Sequence, residues 1–308
     1  MTHPAILQLI VSIAVHFFLP LLLAPLFPGI INKVKAAMAG RRGPPLRQPY
    51  LDIVKLLRKA LVISNTTSWI FFAGPLVAVG AMLAAELLIP IGPSAAPIHF
   101  AGDVILFVYL FASARFFTTS AAMDTGSSFE GMGAAREVSF AVVSEAALIF
   151  SLLIMIRFTG GLSLNAMLLE PFKQGSVGPR LLAAAGLFVF LLAETSRVPI
   201  DDPDTHLELT MIHEVMVLDH SGPLLGAIQY ASALRLLILI NLVLQFICPM
   251  HTGIPALSWG LFILEASAAA VLVGIIESIM ARLPMRHVPT LLAAAAVLSG
   301  LGFILAVR

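Results

Sequence analysis

Residues 68–90 read SWIFFAGPLVAVGAMLAAELLIP, twenty-three positions with a single charged side chain, Glu86. A helix of about 20 mostly apolar residues spans the hydrocarbon core of a bilayer, so this run predicts a transmembrane helix. Seven more runs of the same kind follow from the sequence: 4–30, 98–122, 137–158, 179–195, 222–249, 256–281 and 289–307. The whole chain agrees. Of its 308 residues, 59% are hydrophobic and 11% charged, and the mean hydropathy is +0.99. A soluble domain holds about 45–50% apolar and about 25% charged residues. The expectation is an all-α polytopic membrane protein, one integral-membrane domain over 1–308 with about eight transmembrane helices.

This composition excludes a disordered chain, a fibre, a secreted disulfide scaffold and a nucleic-acid-binding domain; the net charge of +1 offers no field for a polyanion. The one cysteine, Cys248, cannot ligate an iron–sulfur cluster or a zinc ion by itself. Only His16 among the eight histidines falls well inside an apolar run, which argues against a bis-histidine haem. His213-Glu214 lacks the second histidine of a zincin, and no spacing suggests a nucleophile-based active site. The first run lacks a charged start and a small-residue cleavage site, so it reads as a retained helix, with kinks expected at Pro20 and Pro25.

Basic residues set orientation. Odd-numbered connections hold thirteen Lys and Arg, counting Arg115 and Arg136 in the third, against four on the other side. By the positive-inside rule the odd connections face the cytoplasm and both termini lie outside the cell's inner membrane. The cytoplasmic loops are then 32–67, 123–136 and 196–221. Residues 46–60 place Leu51, Val54, Leu57 and Leu61 at helical spacing with Lys55, Arg58 and Lys59 elsewhere, a basic amphipathic helix suited to the lipid surface. The 123–136 loop is rich in glycine, and 196–221 is the most charged stretch.

Acids inside the apolar runs need a reason, because a carboxylate at the bilayer centre costs about 3 kcal/mol or more. Asp103, Glu137, Glu145, Glu194, Glu265 and Glu277 fall there, with Glu86 near the outer end of the second run and Arg235 midway through the sixth. Two roles are open. The acids are either hydrogen-bonded glue between helices or a proton relay through the membrane. Seven acids facing one Arg favour the relay. Glu137 and Glu145 lie about 80° and about 12 Å apart on a helix, so water is expected to bridge them.

Three stretches then identify a family. Arg41-Arg42-Gly43-Pro44 followed by Gln48-Pro49-Tyr50-Leu51-Asp52-Ile53-Val54-Lys55, and Glu194-Thr195-Ser196-Arg197-Val198-Pro199-Ile200-Asp201 closing at Asp219-His220-Ser221-Gly222, resemble the complex I subunit 1 family. Asp124-Thr125-Gly126-Ser127-Ser128-Phe129 with Gly133-Ala134-Ala135-Arg136-Glu137 resembles its hydrogenase branch. The short Pro45-Leu46-Arg47 piece, Ala60, and Ile200-Asp201-Asp202-Pro203 also lean towards that branch and away from quinone binding. The resemblance implies a non-catalytic membrane anchor and a proton- or sodium-coupling subunit in a membrane-bound [NiFe] hydrogenase complex of the formate hydrogenlyase type. Implied partners are hydrogenase large and small subunits, a ferredoxin-like iron–sulfur subunit and antiporter-like membrane subunits. The nickel–iron centre and the clusters would reside in those partners, with no cofactor in this chain. The resemblance carries over Glu137, Glu145, Glu194, Asp201, Asp219 and the turn at Arg197 and Pro199, but does not align Glu208 or Glu214. Together with the acids in the apolar runs, the relay would comprise Glu137, Glu145, Asp103, Glu194, Glu265 and Glu277. Loop coupling would fall to Arg197, Asp201, Asp202, Glu208, Glu214 and Asp219, and docking to Arg41, Arg42, Asp52, Lys55 and Arg136. The alternatives are a quinone-site subunit of an NADH:quinone complex and a free-standing secondary transporter. The latter would carry an inverted repeat, which the sequence does not show.

Overall fold

The computed structural model describes residues 13, 14, 16–92, 94–169, 175–201, 211–247 and 255–308. Among them, eight helices are long and apolar enough to cross a membrane. These are α1 (His16–Met38), α3 (Trp69–Leu88), α4 (Asp103–Asp124), α5 (Ser128–Thr159), α7 (Val177–Glu194), α9 (Gly222–Ile247), α10 (Pro255–Ile279) and α11 (Val288–Val307). Three shorter helices lie between them: α2 (Gln48–Leu57), α6 (Leu164–Leu169) and α8 (His213–Met216). Apolar side chains such as Val142, Phe116 and Leu264 face outward, as lipid contact requires. The chain is an all-α, multi-pass membrane protein.

α9 is the most enclosed of the eight. It packs against α3, α7, α2 and α10, while α3 pairs with α4, α11 with α5 and α7, and α10 with α1. Close pairing needs small residues at the crossing. Gly186 of α7 faces Ser299 and the carbonyl of Ala295 on α11, where a Cβ would meet that carbonyl at 2.9 Å.

The structure corrects several boundaries. α1 continues to Met38, so the first connection starts later than residue 32. Its path breaks at Ala24–Pro25 and runs unbroken past Pro20, so one of the two expected kinks forms. Pro25 stands as the N-cap of the second segment, where a missing N–H costs nothing. The glycine-rich 123–136 stretch is mostly helix, because α5 begins at Ser128. The amphipathic helix is shorter than 46–60, starting at Gln48 with Pro49 in its first turn, and Leu51, Val54 and Leu57 lie exposed along it.

Candidate functional site

Arg115 lies midway along α4 with Phe116 and Phe117 after it, inside the apolar run and only 7% exposed. Counting it as a loop residue was wrong. Its guanidinium has five donors in a planar fork, and here the fork fans across three helix-borne acids. Nη1 pairs with Glu145 and Nη2 with Glu194, while Nε lies 3.3 Å from Glu137. Arg235 of α9 approaches Glu194 from the other side, with Nη1 at 3.3 Å from both its carboxylate and its backbone carbonyl oxygen. So an arginine, rather than water alone, bridges Glu137 and Glu145. The expectation that most membrane acids lack a basic partner does not hold for these three.

Three carboxylates face two guanidiniums, so with all five groups ionised the cluster would carry one excess negative charge, which a single proton would cancel. A cavity of about 20 Å³ touches the group, lined by Arg115, Glu137, Ser144, Glu194, Ser196 and Asp201. That is room for a water molecule, and its lining is polar enough to hold one.

Below the cavity, the connection after α7 is tied to the rest of the bundle. Ser196 takes a left-handed backbone (φ 52°), which turns the chain sharply after Glu194. Arg197 donates to Glu277 on α10 at 3.2 Å, and Lys35 of α1 pairs with the same carboxylate at 3.2 Å. Asp201 pairs with Arg282 at 3.1 Å and accepts from the backbone N–H groups of Ile212 and His213 at 3.1 and 3.0 Å. Leu283 N–H donates to the Pro199 carbonyl at 2.9 Å. A second cavity, about 330 Å³, opens beside this connection and is lined by Asn32, Asp52, Ser196, Arg197, His213 and Glu214 among others. Ser196 lines both cavities. Burial pushes the His213 imidazole below its ordinary range.

The three charged connections are stitched into one face. Ser221 Oγ donates to the Val62 carbonyl at 2.9 Å and accepts from its N–H at 3.0 Å. Thr66 Oγ1 donates to the Thr125 carbonyl at 3.3 Å. Asp124 accepts from the N–H and hydroxyl of Ser68 at 2.6 and 2.8 Å. Buried Glu130 accepts from Asp219 N–H at 2.9 Å, and Arg136 donates to the Met211 carbonyl at 2.9 Å. His220 stacks on Phe71 with centroids 4.1 Å apart. Arg41, Arg42, Asp52 and Lys55 are exposed on this face, while Arg136 turns inward to hold the 211–217 segment.

Not every expected site residue joins the network. Asp103 is the first residue of α4 and accepts from Leu164 N–H (2.6 Å), Ser163 Oγ (3.0 Å) and Phe100 N–H (3.3 Å), so it secures connections at the far end of the bundle. Glu265 stands apart on α10, and Glu86 meets His16 at 3.6 Å. Asp202 and Glu208 lie outside the described residues. The sequence reading missed the hub role of Arg115 and the links through Lys35, Glu130 and Arg282. For Arg115 the signal was present: its apolar flanks continue the 98–122 run in both directions.

The model of the family described as NADH dehydrogenase matches residues 10–307. The chain belongs to the NADH dehydrogenase family. Within it, formate hydrogenlyase subunit 4 of Escherichia coli (strain K12) is 29% identical over 276 residues, covering 86% of this chain and 88% of that protein. Hydrogenase-4 component C of the same organism is 31% identical over 233 residues, covering 74% and 72%. A chain in the structure of the membrane-bound sulfane sulfur reductase, an archaeal respiratory membrane complex, shares the fold with a TM-score of 0.84. It is 23% identical, over 97% of this chain and 99% of that one. The resemblance read from the three motifs therefore holds for this NADH dehydrogenase family member. Among its described residues, no group of three His, Cys, Asp or Glu is placed to hold a metal ion.

Proposed function

We propose that this chain is the membrane-anchor and ion-coupling subunit of a membrane-bound [NiFe] hydrogenase complex of the formate hydrogenlyase type. Its stitched face docks the hydrogenase large and small subunits and a ferredoxin-like iron–sulfur subunit, which carry the nickel–iron centre and the clusters. Its helices pass charge to antiporter-like neighbours in the cell's inner membrane. The basic side faces the cytoplasm and both termini face outward. The named hydrogenase relatives support this reading.

The observation that carries it is the Arg115 network, in which three helix-borne carboxylates share two guanidiniums. The face and the network share a covalent link, since Glu194 ends α7 and Ser196–Asp201 continue into the docking face. A shift of that connection moves Glu194 relative to Arg115. About 1.4 kcal/mol of altered interaction changes proton affinity tenfold, so a small displacement is enough to take up or release the proton. Loop coupling belongs to Arg197, Asp201, Glu214 and Asp219, and the relay runs through Glu137, Glu145, Glu194 and Glu277. The transported ion is a proton or sodium.

The test is Glu145→Gln in the whole complex, reconstituted in vesicles. Assembly and hydrogenase activity persist, while ion pumping driven by that activity falls. Undiminished pumping removes Glu145 from the relay.

The cavity of about 330 Å³ favours one alternative, a quinone-site subunit. It has the size of a small-molecule site, and a photoreactive quinone that labels Asn32 or Ile53 would support that role.

A further inference from the structure

On the side of the bundle away from the docking face, α9 and α10 enclose a cavity of about 10 Å³. Asn241, Gln245, Ser258 and Glu265 supply its polar lining. Asn241 is 1% exposed and Gln245 is 6% exposed. The Asn241 amide nitrogen donates to the Pro90 carbonyl at 2.9 Å, which fixes the orientation of the amide and leaves its oxygen as an acceptor. Among the described residues, Asn241 Oδ1, Gln245 Oε1 and Glu265 Oε1 have no hydrogen-bond donor. No Lys, Arg or His lines the cavity.

Unpaired acceptors are costly in an apolar medium, and three around one small space require a positive or multiply donating occupant. The volume admits one water-sized particle. Oxygen donors alone suit a hard cation. One carboxylate neutralises a single positive charge, whereas a divalent ion would leave an uncompensated charge within the membrane.

We infer that Asn241, Gln245 and Glu265, with Ser258 beside them, form a binding site for one sodium ion in the half of the membrane opposite the docking face. The site is separate from the Arg115 network and does not depend on the relay.

The experiment measures equilibrium binding of radioactive sodium to the intact membrane complex in lipid nanodiscs, in choline buffer. Relative to wild type, Glu265→Gln and Gln245→Leu each lose one saturable sodium per copy of this chain, or bind it about tenfold more weakly or worse. Sodium held by other subunits is common to all preparations and cancels in the difference. Val142→Ala, on an outward-facing side chain of α5, keeps the full sodium complement, which ties any loss to the cavity lining. Unchanged sodium binding in both variants overturns the site and leaves a buried water or a protonated Glu265 as the occupant. Should neither variant assemble, the milder Glu265→Asp takes their place in the same measurement. Sodium bound about tenfold more weakly, or one saturable sodium fewer per copy, supports the site, and binding equal to wild type overturns it.

Discussion

Arg115 shows how one side chain organises charge that would otherwise be intolerable within the membrane. It pairs with Glu137, Glu145 and Glu194 on two other helices. Removing one partner of a buried ion pair costs about 3–5 kcal/mol, because the other charge stays buried. Arg115→Met should therefore abolish accumulation of the folded protein, as read by gel filtration of detergent extracts, while Glu145→Gln is tolerated. His220 gives a prediction for pH. Burial against Phe71 lowers its affinity for a proton below the ordinary 6.5, opposed by the nearby Asp219 carboxylate. A group with a lowered folded-state value binds more protons when unfolded, so stability falls as pH drops below about 6.5. Thermal midpoints between pH 7 and pH 5 should decline, and His220→Phe, which keeps the stack, should flatten that decline. At this scale the sequence displayed the acids but hid their partners, because pairing depends on which helix faces which.

Single helices were legible wherever lipid dictates composition. All eight crossings were readable, because an unbroken run of about 20 apolar residues is soluble in lipid and in little else. The ends were read less well. α5 has 32 residues, about 48 Å of helix, against a hydrocarbon core of about 30 Å. Its first turns project beyond the bilayer, where Gly131 and Gly133 looked like loop residues. Gly133 serves packing instead. A Cβ there would strike the Val215 side chain and meet the Ile212 carbonyl at 2.9 Å. Gly133→Val should push α8 off α5, at about 1–3 kcal/mol, and expose the 211–217 segment to limited proteolysis without loss of the membrane bundle. The corresponding change on the other flank, Gly186→Leu, should part α7 from α11 and lower the thermal midpoint of the whole bundle.

If all eight candidate spans among the described residues cross the membrane, both ends of the bundle lie on one side of it. With the basic face inward, a cysteine replacing Arg42, in a Cys248→Ser background, should react with a membrane-impermeant maleimide only from the cytoplasmic side. A cysteine replacing Arg308 should react only from outside. The reverse pattern would invert the proposed orientation. Moving Arg115 into α4 leaves twelve basic residues in the odd connections and the helix ends that flank them, against four on the other side, so the orientation argument survives that correction. Composition and residue order determined that this is a polytopic helical protein of the NADH dehydrogenase family, since burial in lipid constrains each helix locally and the loop motifs lie along the chain. The tertiary structure alone decided that Arg115 joins Glu137, Glu145 and Glu194, that Asp103 serves a far connection, and that three loops share one face. Those outcomes depend on helix rotation and pairing, and apolar helix surfaces of nearly uniform character leave both open until the bundle closes.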